Sequence, residues 1–398
     1  MMFQAKLKNK AYPKYGVVTI PFPLCRDNYG HHIRMAEILE IGSATGRDCQ
    51  VSEIDGAWPV LERLENTQVN LDDLNYLAKR LDSFDIGEAA KFQAMAEKLD
   101  LHDMKDFINL TFCCQQATVI TDFSELRGAG RNHYMDLHGG CASTEEINAL
   151  DGYETVRQLI ASGDGVVTQY GVVFDNGMEM SQLYDGKHLP CYLYDQDLLM
   201  VSLSSRSEPE DTKNITWLYL PTAKEQIDRA ILRSGITDSE DMRFRFGDSQ
   251  FPTEIDTALD FERESIYALN DLALVVSKLS QQNLDKLGAV VTMAKPETAS
   301  QIRHLAENLD QFDFAPGAHT PEEYGKYMIQ ESGHFEYDPN LEEFYDYEKY
   351  GLQHMEQEGA FTDRGYISYH GTLSLDELMM EAPAEQYQRE QGMQMAEM

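Results

Sequence analysis

Residues 320–351 read TPEEYGKYMIQESGHFEYDPNLEEFYDYEKYG, with nine acids against two lysines. The acids are Glu322, Glu323, Glu331, Glu336, Asp338, Glu342, Glu343, Asp346 and Glu348. The punctuation predicts two helices. Thr320 is placed as an N-cap, with Pro321 in the first turn and Glu323 three residues on, opening a helix over 322–330. Asn340 is placed to cap another over 341–350, where Glu342 and Glu343 suit the positive end of the helix dipole. On a continuous helix, residues three or four apart have Cβ atoms about 5–6 Å apart. Glu342 and Asp346, and less directly Glu343, would then line one side at a spacing near that of successive phosphates on a DNA strand. Leu341, Phe344, Tyr345 and Tyr347 would pack the other side. Like charges so placed weaken an isolated helix, so a chain that keeps them has other support or uses the negative face.

The whole chain shares that bias. It has 398 residues, 33 Lys+Arg and 68 Asp+Glu, for a net charge of −35. Length gives a soft prior of two or three domains of about 150 residues each. A hydrophobic content of 42% and an aromatic content of 10% are enough to bury real cores and exclude a disordered acidic polymer. No run reaches the ~18 apolar residues of a membrane span, and Met1–Lys10 lacks the apolar core of a secretory signal. Cys25, Cys49, Cys113, Cys114, Cys141 and Cys191 form no C-x-x-C pair and read as free thiols, which points to the cytoplasm. Duplex binding replaces counterions with Lys and Arg; a strongly negative chain without a basic window does not do that, and suits basic partners instead.

The charge is unevenly placed. Residues 1–50 are net +3, 51–200 net −16, 201–300 net −6 and 301–398 net −16. Duplex DNA carries one charge per about 1.7 Å, so 35 charges would match roughly 60 Å of it if displayed on an extended surface.

The same words recur half a chain apart. Thr19-Ile20-Pro21 returns as Tyr219-Leu220-Pro221, and Leu74-Asn75-Tyr76-Leu77-Ala78 as Leu269-Asn270-Asp271-Leu272-Ala273. Tyr153-Glu154 returns as Tyr347-Glu348, and Thr168-x-x-Gly171 as Thr362-x-x-Gly365. Shared order at a slowly drifting offset reads as a tandem duplication.

Strands are expected at 15–20, 49–54, 117–120, 171–174, 215–220, 242–246 and 366–369. Helices are expected at 31–39, 70–81, 89–99, 104–113, 223–233, 264–279, 296–309, 322–330 and 341–350. The fold class is therefore α+β, an elongated chain of several small mixed α/β modules in two tandem units, 1–205 and 206–375. A polar linker lies near 204–213, and 376–398 reads as a disordered acidic tail.

Other constellations carry little chemistry. Asp195-x-Asp197 and Asp310 with Asp313 lack the flanking pattern of an EF-hand or a two-metal site. His133, His138 and Cys141 match no common zinc spacing. Gly128-Ala129-Gly130-Arg131 lacks the dinucleotide and Walker patterns and reads as a turn. His31-His32 reads as a surface or cap pair. No catalytic residue, cofactor or metal is expected.

The C-terminal phrases carry a resemblance. Glu323-Tyr324-Gly325-x-Tyr327, Glu331-Ser332-Gly333-His334-Phe335, the run 341–351 and Gly365-Tyr366-Ile367 resemble the ArdA antirestriction proteins. Cys49–Ile54 and Leu74–Phe84 carry a looser likeness in the first half. The resemblance implies a DNA mimic of mobile genetic elements. Such a protein occupies the DNA groove of type I restriction-modification enzymes, chiefly the specificity and methyltransferase subunits, and has no catalytic residues. It also implies slender, curved dimers of three α/β modules per subunit. This chain is about twice as long, so a homodimer or a single-chain pseudo-dimer is expected in a bacterial cytoplasm. The first copy departs from the pattern: Asn148 and Gly152 align with Glu342 and Asp346, and its acids cluster instead at Asp72, Asp73, Asp82, Asp85 and Glu88. These acids and the nine above are the candidate partner-binding residues. The competing readings are a carboxylate enzyme and an acidic adaptor that does not compete with DNA.

Overall fold

A computed structural model describes residues 1–192, 197–209, 214–236, 241–261, 263–333, 336–356 and 359–380. The chain opens with β1 (Phe3–Asn9), β2 (Val18–Phe22), α1 (Tyr29–Ile38), β3 (Cys49–Gly56) and β4 (Gln68–Val69). These strands form one antiparallel sheet in the order β2-β1-β3-β4. Next come α2 (Leu71–Asp82), α3 (Ile86–Lys98), α4 (Met104–Leu110), β5 (Thr118–Ile120), α5 (Leu126–Leu137), α6 (Thr144–Ala149), α7 (Gly152–Ser162), β6 (Val166–Thr168) and β7 (Gly171–Phe174). A second sheet, ordered β5-β7-β6, closes this part.

A second run of elements follows. It runs β8 (Leu199–Ser205), β9 (Thr216–Leu220), α8 (Lys224–Ser234), β10 (Met242–Ser249), α9 (Thr253–Ala258), α10 (Ile266–Val276), α11 (Gln281–Ala294), α12 (Ala299–Glu307), β11 (Phe312–Pro316), α13 (Pro321–Gln330), α14 (Tyr347–His354), β12 (Gly359–Thr362), β13 (Gly365–Tyr369) and α15 (Leu375–Met379). Its sheets are ordered β10-β8-β9 and β11-β13-β12. The architecture is α+β, with helices dominant and strands gathered into small sheets.

The chain divides into two compact units: Met1–Tyr194 with Leu203–Trp217 and Ala223–Arg243, and Asp195–Ser202 with Leu218–Thr222 and Phe244–Met398. The first unit thus takes in residues beyond the expected boundary at 205, α8 among them. Its core joins Phe3, Leu7 and Ile20 of the first sheet to Leu74, Leu77, Phe92 and Phe107 of the helices above it, with Trp58 edge-on to Phe92. α2 shows why the segment is helical. Asn70 accepts from the backbone N–H groups of Asp72 and Asp73, and Leu71, Leu74, Leu77, Ala78 and Leu81 fall on one buried face. In the second unit Leu269, Leu272, Leu287, Val290, Ile302, Leu305, Phe312 and Ile367 are fully or almost fully buried.

Several expectations shift. β1, β8, β11 and β12, the α5–α7 run and α11 lie where no element was expected. Gly128–Arg131, read as a turn, sits inside α5. Glu125 accepts from Gly128 N–H and starts that helix, and Gly130 is needed because the α7 backbone at Gly152 occupies the space a Cβ would fill. The linker expected at 204–213 is partly strand, since β8 runs to Ser205; 210–213 lie outside the described residues. The tail expected from 376 begins with α15, whose Ser374–Glu377 capping box is complete and which buries Leu378 and Met379. Residues 381–398 lie outside the described set.

Candidate partner-facing acidic surface

All nine acids of 320–351 are exposed. Among the described residues none makes an ion pair, although Lys326 and Lys349 are exposed on the same segment. Arg364, in the β12–β13 turn, is withdrawn from them: it donates to Glu254 of α9 at 2.7 and 2.9 Å and pairs with Asp285 of α11.

The scaffold under these acids differs from the expected pair of helices. α13 begins as the sequence implies, with Thr320 Oγ1 accepting from Glu323 N–H at 3.2 Å. The Glu323 carboxylate reaches one residue further back than a capping box, accepting from His319 N–H at 2.7 Å. That bond first, and Thr320 and His319 beside it, hold the carboxyl below its ordinary range. The helix expected over 341–350 is instead a 3-10 segment, Pro339–Phe344, followed by α14. Asp338, not Asn340, caps the first piece, and Asp346 caps the second by accepting from Lys349 N–H at 3.1 Å. Glu342, Glu343 and Asp346 therefore do not share one helical face. The turn between the pieces projects them from separate local frames, and two capped N-termini replace the i, i+4 repulsion with favourable carboxylate–dipole contacts.

Aromatic rings hold this irregular chain in place. Tyr337, Tyr345 and Tyr347 follow one another with centroids 5.9 and 5.8 Å apart. Gln330 Nε2 donates to Tyr347 Oη at 2.8 Å, tying α13 to α14. The Tyr337 phenol is pushed up to about 12, by desolvation first and then by the Glu342 carboxylate, so it remains a neutral hydrogen-bond donor among the acids. Tyr324 packs on Tyr366 at 4.3 Å beneath the segment. Gly325 and Gly351 let the helices touch: backbone of α14 and of α13 fills the space each missing side chain would need. Residues 334–335 lie outside the described set.

The first-half acids are not one outward row. Asp72 is largely covered: it accepts from Tyr29 Oη at 2.9 Å and from Arg229 at 3.1 and 2.8 Å. Asp73 is 1% exposed and accepts from Arg233 at 2.6 Å and Tyr184 Oη at 2.7 Å. Neither can meet a partner. Burial pushes the Asp73 carboxyl up, with Arg233 and Tyr184 working against that rise. Burial opposes the Arg233 charge, but Asp73, Tyr184 and Asp72 together raise its pKa. Asp82 is exposed; exposed Asp85 and half-buried Glu88 are the two arms of the α3 capping box.

What sequence reading missed lies on α6 and α7. Glu145, Glu146, Asp151 and Tyr153 are exposed there. Asp151 caps α7 by accepting from the N–H groups of Tyr153 and Glu154, as Asp346 caps α14. By its capping role it is Asp151, and not Gly152, that resembles Asp346. The capping pattern Asp-x-x-Glu at 151–154 was the available signal.

The rival constellations are dispersed. His133 is buried against Thr118 Oγ1 at 3.0 Å, which also donates to Asp136 at 2.8 Å, while His138 stacks on Tyr134 at 4.1 Å. Cys141 is exposed. Among the described residues no group of three His, Cys, Asp or Glu side chains is placed to hold a metal ion, and no helix is long and apolar enough to cross a membrane. Asp195 lies outside the described residues.

No curated protein matches the chain significantly. Residues 215–368, from just before β9 into β13, match the family model described as antirestriction protein (ArdA).

Proposed function

We propose that this chain is an antirestriction protein that acts as a DNA mimic, filling the DNA groove of a type I restriction-modification enzyme at its specificity and methyltransferase subunits. The carrying observation is that nine exposed carboxylates, without ion pairs among the described residues, fall inside the segment matching the antirestriction family. Their role is collective and electrostatic: each stands in for a phosphate, no bond is made or broken, and no residue is catalytic. The protein works in a bacterial cytoplasm on behalf of a mobile element.

We propose further that two ArdA-like units stand in tandem, as a pseudo-dimer in one chain. Matched hydrogen bonds support this reading. Leu24 N–H donates to Asn75 Oδ1 at 2.7 Å, and Thr222 N–H to Asn270 Oδ1 at 2.7 Å. Thr168 Oγ1 donates to the Gly171 carbonyl at 2.9 Å, and Thr362 Oγ1 to that of Gly365 at 2.8 Å. Val119 pairs with Val173 as Phe314 pairs with Ile367. On this alignment Leu220-Pro221 answers to Phe22-Pro23, two residues beyond the match read from sequence.

The test is competition between the protein and duplex for a purified type I methyltransferase. Mutually exclusive binding that weakens steeply with salt is the expected result. Simultaneous binding of duplex and protein would leave only an adaptor. Relief of restriction of unmodified phage in cells is the companion measurement.

A further inference from the structure

The break that separates Pro339–Phe344 from α14 also divides the apolar side of the segment. On one continuous helix Leu341, Phe344, Tyr345 and Tyr347 would all face the packed side. Here they part. Tyr345 and Tyr347 are half-buried and belong to the row of rings that holds the segment. Leu341 and Phe344 are 46% and 74% exposed. The core beneath is closed by Ala315, Ala318, Tyr324 and Tyr366. In a 3-10 segment side chains three apart eclipse, so Leu341 and Phe344 share one edge of Pro339–Phe344. The same rule sets exposed Glu342 and Glu343 on the other two edges, one to each side.

A single exposed leucine is ordinary in a folded protein. Two large apolar side chains on one edge, held between carboxylates by the caps at Asp338 and Asp346, are a different matter. The chain gains nothing from showing them to water. Charge decides what covers them. A symmetric contact with a second copy would set the nine acids and two lysines of 320–351 against the same set. A basic surface with an apolar cleft fits both features at once. Surfaces that read DNA have this character: they hold phosphates for position and touch base edges between them, in part through apolar contacts.

We propose that Leu341 and Phe344 form an apolar anchor that enters the base-reading surface of the partner, while Glu342 and Glu343 meet the flanking lysines and arginines. The inference rests on the DNA-mimic reading and adds to it a contact that is not electrostatic. The two kinds of contact respond differently to salt. Carboxylate contacts weaken as salt rises; burial of a phenylalanine does not.

The test measures binding of the full chain to a purified type I methyltransferase over a range of salt concentrations. It compares the native chain, Leu341→Ser with Phe344→Ser, and Glu342→Gln with Glu343→Gln. The serine variant keeps the net charge and both caps, so its helicity by circular dichroism should match that of the native chain. Its Kd should rise about thirtyfold, the loss expected for an interface anchor, by the same factor at every salt concentration. The glutamine variant should instead show a shallower salt dependence. A serine variant that binds within about twofold of the native chain overturns the anchor and leaves the DNA-mimic reading standing. A loss seen only at low salt, or a loss of helicity, also overturns the anchor. A native chain that does not bind the methyltransferase overturns both. Sedimentation of the native and serine chains covers the remaining occupant: a native dimer that the serine variant abolishes gives the edge to a second copy and overturns the proposal.

Discussion

Asn270 does at one residue what no neighbour in sequence can do. It lies buried on α10, accepts from Thr222 N–H at 2.7 Å and donates to the Thr222 carbonyl at 3.1 Å. Asn270→Ala removes both of these bonds to the buried Thr222 backbone, at about 1–3 kcal/mol each, and a urea melt of the full chain should show a loss of about 2 kcal/mol or more. Asp185 makes a residue-scale prediction about pH. Burial opposes its ionisation, but bonds from the His188 ring and from the backbone N–H groups of His188 and Lys187 hold it down to about 2. Its folded value lies below the unfolded one of about 3.9. The stabilisation is therefore fully present above pH ~4 and is lost as pH falls toward 2. A carboxyl carbon titration by NMR checks this; a midpoint near 4 would show that the turn does not form in solution.

Among the elements, α13 and α14 are decided by two glycines. The backbones meet where Gly325 and Gly351 leave no Cβ, so Gly351→Ala forces the helices apart at a cost of about 1–3 kcal/mol or more. The expected result is a lower unfolding midpoint and weaker partner binding with no change in net charge. Unaltered binding would mean that the arrangement of the acids does not matter. Asp346→Asn makes the opposite test. Asparagine caps as well as aspartate, so α14 should keep its helicity by circular dichroism while the surface loses one charge.

Across the molecule the governing quantity is the net charge of −35 and where it is exposed. Glu342→Gln, Glu343→Gln and Asp346→Asn should each weaken inhibition by a small factor, and together by much more. The dependence of binding on salt should become shallower with each acid removed. One substitution that abolishes activity would contradict collective action. Replacing Asp72 or Asp73 belongs to a different experiment, since both are enclosed by arginines and their loss acts through the fold.

The sequence by itself determined what depends on a few neighbouring residues: the cap at Asn70, the buried face of α2 and the Thr320 start of α13. Capping and helical periodicity act within three or four positions, so local reading reaches them. The break between Phe344 and Tyr347 escaped it because two caps, Asp338 and Asp346, win over a continuous apolar pattern. The strand β11 escaped because its pairing partner β13 is far along the chain. Only the tertiary structure decided that Asp73 is enclosed, by an arginine 160 positions away, and that Gly130 belongs to a helix contact and not a turn. A carboxylate on the page has no burial of its own; the folded chain decides whether it meets water or a guanidinium.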